Sequence, residues 1–138
     1  MIFYADDDPE DIMILESVAR ELNINLVAFS RGTQVLEKLD SNPDPGAIVF
    51  LDINMPGLNG LEILAKIRSN EAWDSVPVVM YTTSTYPGNV KESYELGANF
   101  YLPKIPDYNQ LVKAIRQVMT IDWDGFKPSL NDFMYAPR

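Results

Sequence analysis

Four apolar residues, Ile48-Val49-Phe50-Leu51, run straight into Asp52, and the chain then breaks at Pro56-Gly57 and Asn59-Gly60. A carboxylate fixed at the end of a buried strand is an oxygen nucleophile held at a reactive edge. Three further apolar runs end in polar groups. Ile2–Ala5 ends in Asp6-Asp7-Asp8, Val76–Tyr81 in Thr82-Thr83-Ser84, and Asn99–Leu102 shortly before Lys104. Three carboxylates from Asp6, Asp7 and Asp52 cannot share one place unless a cation neutralises them. Hard oxygen ligands of this kind suit Mg²⁺, and the backbone carbonyl of Asn54 could complete the set. Lys104 could pair with Asp52 or with a phosphoryl group carried on it, and Thr82 offers a hydroxyl to the same group. The chemistry these types imply together is phosphoryl transfer to an aspartate. Taken singly, each has a plainer reading: a helix cap for the acidic run, an Asx turn for Asp52, a strand residue for Thr82, a surface lysine for Lys104. Coincidence at four strand ends is a weaker explanation than a shared site.

The elements that must position these groups alternate along the chain. The spacing predicts strands at Ile2–Ala5, Asn25–Phe29, Ala47–Asp52, Val76–Thr82 and Asn99–Leu102. Between and after them come helical patterns. Asp8 caps a first helix with Pro9, Glu10 and Asp11 in its opening turn. Thr33–Leu39 forms a second helix, Leu61 to Ile67 a third, Asn89–Leu96 a fourth, and Leu111 to Met119 a fifth. Ser41–Gly46, with two prolines and a glycine, reads as a loop. Five strand–helix repeats imply an α/β domain: a doubly wound, five-stranded parallel sheet with helices on both faces. Strand order 2-1-3-4-5 fits this count, and it gathers the ends of strands one, three, four and five on one rim, where open sheets of this kind bind ligands.

Composition narrows the function. A chain of 138 residues, 46% hydrophobic and 22% charged, suits one globular domain. With no cysteine and no histidine, thiol chemistry, disulfides and Ser-His-Asp catalysis are excluded, and any phosphohistidine must belong to a partner. The formal net charge of -9 argues against nucleic acid as a partner. No apolar run is long enough to span a membrane and no signal-peptide pattern is evident, so no membrane partner and a cytoplasmic location are expected.

Tyr-Ala-Asp6-Asp7-Asp8-Pro, Leu-Asp52-Ile-Asn-Met-Pro-Gly-Leu-Asn-Gly, Thr82 and Lys104 together resemble the receiver domains of two-component response regulators, of the chemotaxis-protein-like, stand-alone type. The resemblance covers roughly residues 1–120 and carries these expectations. The fold is flavodoxin-like. Asp52 is the phosphoacceptor, and Mg²⁺ is held by Asp6, Asp7, Asp52 and the Asn54 carbonyl, with Asp7 direct and Asp6 mainly through water. Thr82, Thr83 and Lys104 contact the phosphoryl group, Thr82 and Tyr101 form the switch, and Asn54 and Ser84 influence the phosphoryl lifetime. A histidine kinase or histidine phosphotransfer protein donates, and an unknown output protein reads the face of helix four, strand five and helix five, where the family binds partners or forms a homodimer. One departure stands out: the family usually has Lys-Pro after strand five, often with a cis peptide, whereas Lys104 is followed by Ile105. An aspartate-nucleophile phosphatase is the competing enzyme reading, but Asp52-Ile53-Asn54 lacks the second carboxylate of the Asp-x-Asp that such enzymes carry. A third reading is an adaptor that keeps the fold without phosphorylation.

Residues 121–138 form a C-terminal extension too short for an effector domain, yet Trp123, Phe126, Leu130, Phe133, Met134 and Tyr135 make it too apolar for a free tail. It is expected to dock on its own domain as an irregular or short-helical segment with Trp123 near the end of the fifth helix. A dimer contact, or a segment displaced by a partner, is the competing expectation.

Overall fold

The structure is a computed structural model that describes residues 1–41, 46–124 and 128–136. Five parallel strands make one sheet in the order β2-β1-β3-β4-β5. They are β1 (Ile2–Ala5), β2 (Leu26–Phe29), β3 (Ile48–Leu51), β4 (Val78–Thr82) and β5 (Phe100–Pro103). The helices are α1 (Pro9–Glu21), α2 (Gly32–Ser41), α3 (Gly60–Arg68), α4 (Pro87–Glu95), α5 (Tyr108–Met119) and a single turn, α6 (Leu130–Phe133). The expected strand order is the observed one. Among the described residues no helix is long and apolar enough to cross a membrane.

The central strands β1, β3 and β4 are buried at every position, as parallel strands covered on both faces must be. Alternate residues feed two cores. Phe3, Val49, Leu51, Met80 and Tyr101 pack against α2 and α3, and Tyr4, Phe50, Tyr81 and Leu102 pack against α1 and α5. Local chemistry sets the helix starts. Asp8 accepts the Glu10 N–H, and Asn59 and Glu62 form a reciprocal capping box at α3.

Element boundaries fall within three residues of the sequence expectations, and β1 matches at both ends. β3 stops at Leu51, so Asp52 stands just past the last paired residue rather than within the strand. The loop at 42–45 lies outside the described residues. A one-turn 3-10 helix at Glu71–Trp73, not anticipated, carries the buried Trp73. Arg68 ties this region together, donating to the carbonyls of Gly97, Trp73 and Val76 and to Asn99 Oδ1 at 2.8, 3.1, 2.8 and 2.8 Å. All described peptide bonds are trans, including Lys104–Ile105.

Candidate functional site

The C-terminal ends of β1, β3, β4 and β5 meet at one rim, and the residues singled out in the sequence meet there with them. Oxygens of Asp6, Asp7 and Asp52 lie within 4.8 Å of one another. Asp6 and Asp52 are buried, whereas Asp7 is exposed at the mouth. Lys104 reaches in from beyond β5, its side chain only 10% exposed, with Nζ 3.4 Å from Asp52 Oδ2. The buried Thr82 hydroxyl lies beside the Asp52 carboxylate and works to lower its pKa, and the Asn54 N–H approaches Asp52 Oδ1 at 3.4 Å. Thr83 is exposed on the loop after β4.

Gly60 makes this approach feasible. A Cβ built there would fall 2.2 Å from the Asp52 carbonyl oxygen and 2.8 Å from its carbon, so only glycine lets the start of α3 close on the backbone of Asp52. Gly57, with φ of +74°, turns the intervening loop through a conformation glycine favours.

Three participants were not identified from the sequence. Lys104 bonds most closely to Asp6 Oδ2 and Asp11 Oδ2, at 2.5 and 2.7 Å, and only then to Asp52. Tyr4, buried in β1, donates its hydroxyl to the same Asp6 oxygen at 2.5 Å. The Lys104 ammonium also lies 5.7 Å from the Tyr81 ring centroid. Strand and helix geometry hold the missing signals: Tyr4 is two residues before Asp6 and so faces the same side of the chain, and Asp11 lies in the first turn of the helix that Asp8 caps.

The electrostatics follow from burial and pairing. Burial pushes the Asp52 carboxyl above the usual carboxylate range, with Asp6 adding to the shift while Thr82, Lys104 and the Asn54 N–H oppose it. Burial alone would lower the Lys104 pKa; its bonds to Asp11 and Asp6 and the charge of Asp52 outweigh that, and the net shift is upward. The Tyr4 hydroxyl is pushed far up by burial and by Asp6, so it stays a donor.

The two residues expected to form a switch, Thr82 and Tyr101, are both buried. Tyr101 is fully buried and donates to the Ser84 carbonyl at 2.7 Å. The Ser84 hydroxyl in turn accepts from Asn89 Nδ2 at 2.8 Å. Thr82 and Tyr101 are therefore both already buried in the unmodified chain, Tyr101 with its hydroxyl turned to the loop after β4.

This rim can hold a divalent cation and present one aspartate oxygen to an electrophile, and residues 2–116 match the response regulator receiver domain family. The chain belongs to that family. It is the receiver domain of a two-component response regulator, a signalling domain on a flavodoxin-like fold. Response regulator Rcp1 of Synechocystis sp. is 29% identical over 126 residues, covering 86% of this chain and 85% of that protein. Chemotaxis protein CheY1 of Helicobacter pylori is 29% identical over 119 residues, covering 86% and 94%. The solved Mn²⁺-bound form of response regulator Rcp1 superposes with a TM-score of 0.73 at 26% identity, covering 93% of this chain and 98% of that one.

Proposed function

We propose that this receiver, residues 1–120 with the extension 121–138 appended, accepts a phosphoryl group on Asp52 and signals by protein contact. The observation that carries the proposal is the convergence of Asp6, Asp7, Asp52, Thr82 and Lys104 from four strand ends on one buried rim. The donor is a histidine kinase or a histidine phosphotransfer protein. The P–N bond of its phosphohistidine breaks, the imidazole leaves with the electron pair, and a P–O bond forms to Asp52. The chain turns over no other substrate; its chemistry is confined to gaining and losing its own phosphoryl group.

The donor set fits Mg²⁺. Asp7 is exposed and available as a direct ligand, alongside Asp52 and the Asn54 carbonyl. Asp6 is already engaged by Tyr4, Lys104 and the Asp8 N–H, so its share is best made through water. When bound, the cation offsets the negative charge that gathers as the phosphoryl oxygens arrive. The Mn²⁺ in the related Rcp1 structure supports a divalent cation here. Lys104 then pairs with the transferred oxygens, Thr82 donates its hydroxyl to them and Thr83 lines their approach. Asn54 and Ser84, flanking the site, influence how long the phosphoryl group survives.

Output passes through Tyr101 to the face of α4, β5 and α5, where a partner protein or a second copy of the chain binds. The reaction takes place in the cytoplasm. Incubation with a small-molecule phosphodonor and Mg²⁺, followed by intact mass and oligomer size, tests the reading. Thr82→Ala should still gain the phosphoryl mass and respond poorly, because the hydroxyl reads the group rather than creating it. Hydrolytic turnover of a small phosphate ester would overturn the reading in favour of an enzyme.

A further inference from the structure

β5 is an edge strand, and an edge presents unpaired backbone groups. Here the chain's own C-terminal segment uses them. Met134 pairs in parallel with Tyr101, and the Tyr135 N–H donates to the Tyr101 carbonyl at 2.8 Å. Phe133 is fully buried, edge-on to Tyr94 of α4 at 5.3 Å and tilted over Tyr101 at 6.1 Å. On the opposite face of the sheet the Tyr135 ring meets Phe100 at 6.4 Å, beside Trp123 at 6.5 Å from the same ring. The Tyr94 hydroxyl donates to the Pro128 carbonyl at 3.2 Å. The segment thus clips both sides of the edge strand, and Tyr101 is the residue it grips by both backbone and ring.

Tyr101 is also the residue that reaches the reactive rim. Its hydroxyl bonds the carbonyl of Ser84, whose N–H in turn approaches the Thr82 hydroxyl at 3.4 Å, at the end of the strand beside Asp52. We propose that residues 128–136 are a strap whose surface is the α4–β5 edge, and that its seating and phosphorylation of Asp52 favour the same buried position of Tyr101. The proposal rests on Asp52 being the phosphoacceptor. Phosphoryl oxygens add acceptors for Thr82 and hold its loop inward, which keeps the Ser84 carbonyl where Tyr101 reaches it. A Tyr101 swung outward would take its ring from beneath Phe133 and shift the carbonyl that Tyr135 needs. Tyr101 is the two-state element that both ends bias, and the coupling is reciprocal: the strap favours the phosphorylated site as strongly as phosphorylation favours the strap. A partner that reads the phosphorylated state on this face meets the seated strap as part of the surface it binds.

Amide hydrogen exchange of the full chain in Mg²⁺, with and without acetyl phosphate and with intact mass on the same samples, tests this. In wild type, the amides of 128–136 should exchange at least about fivefold more slowly once the phosphoryl mass appears. Tyr101→Phe keeps the ring against Phe133 and loses the bond to Ser84, so its strap should exchange at one rate with or without phosphoryl mass. Phe133→Ala should free the strap in both states and lower the phosphorylated fraction at a fixed phosphodonor concentration. Phosphoryl gain with strap exchange unchanged or faster would overturn the proposal, as would a Tyr101→Phe strap that responds like wild type. Absence of any phosphoryl mass in wild type would defeat the reading of Asp52 itself, and the strap's coupling with it.

Discussion

Replacing Asp52 by Asn should stabilise the metal-free protein, and by an amount that depends on pH. The Asp52 side chain is 8% exposed, with Lys104 Nζ at 3.4 Å and the oxygens of Asp6 and Asp7 within 4.8 Å. At an effective dielectric of about 20, the lysine contributes about 5 kcal/mol of attraction and Asp6 about 3.5 kcal/mol of repulsion. Lys104 is shared with Asp6 and Asp11, so little net Coulomb gain remains to set against the several kcal/mol lost in taking a carboxylate out of water. Asparagine keeps the shape, can still accept from Thr82, and sheds the charge. A gain of about 1–3 kcal/mol is expected, which for 138 residues raises Tm by about 3–10 °C. Because burial raises the folded-state pKa of Asp52, the penalty is absent below the unfolded value of about 3.9 and complete above the folded pKa. The advantage of Asn should therefore open as pH rises and close toward pH 4. Saturating Mg²⁺ should cancel most or all of this advantage, since a cation at a hundred times its Kd adds about 2.7 kcal/mol to the wild type. Thermal melts at pH 4 and pH 8, in chelator and in Mg²⁺, read all of this. An Asn variant less stable than wild type at pH 8 in chelator, or equally favoured at pH 4, would refute the reasoning.

Asp11→Asn should bring the pKa of Lys104 down toward its ordinary value, because it removes one of the two shortest bonds to the ammonium; ¹⁵N NMR of Nζ through a pH titration reads this, and an unmoved lysine would contradict it. Gly60→Ala should destabilise the fold although alanine favours helix by about 1 kcal/mol, because its Cβ meets the backbone of Asp52, and it should slow phosphorylation; melts and a mass time course measure both. Arg68→Ala strips the carbonyls of Trp73 and Val76 and the Asn99 side chain of a donor and should cost about 3 kcal/mol or more in urea unfolding, with Lys recovering only part because it lacks the fork.

The sheet was legible because each of its strands is a short apolar run and the polar residues fall at their ends. The sequence alone places Asp6, Asp7, Asp52, Thr82 and Lys104 together, since the expected strand order brings those ends to one rim. What pattern could not supply is who pairs with whom. Lys104 lies nearest Asp6 and Asp11 because α1 begins directly above the rim, a matter of helix orientation rather than spacing. Tyr4 reads as a core residue, and only the fold turns its hydroxyl onto Asp6. The apolar content of the tail announced that it would dock, with Trp123 near the end of α5, but its seat on Tyr101 depends on β5 being the sheet edge. Phe126 of that tail lies outside the described residues.

The central claim is that Asp52 alone accepts phosphate and does so with a divalent cation. Intact mass with peptide mapping, after incubation with acetyl phosphate, tests it most directly on wild type and Asp52→Asn, each in Mg²⁺ and in chelator. One phosphoryl group, mapped to Asp52, is expected in wild type with Mg²⁺, and none in the other three samples. A phosphoryl group on Asp52→Asn, or equal labelling of wild type in chelator, would contradict it.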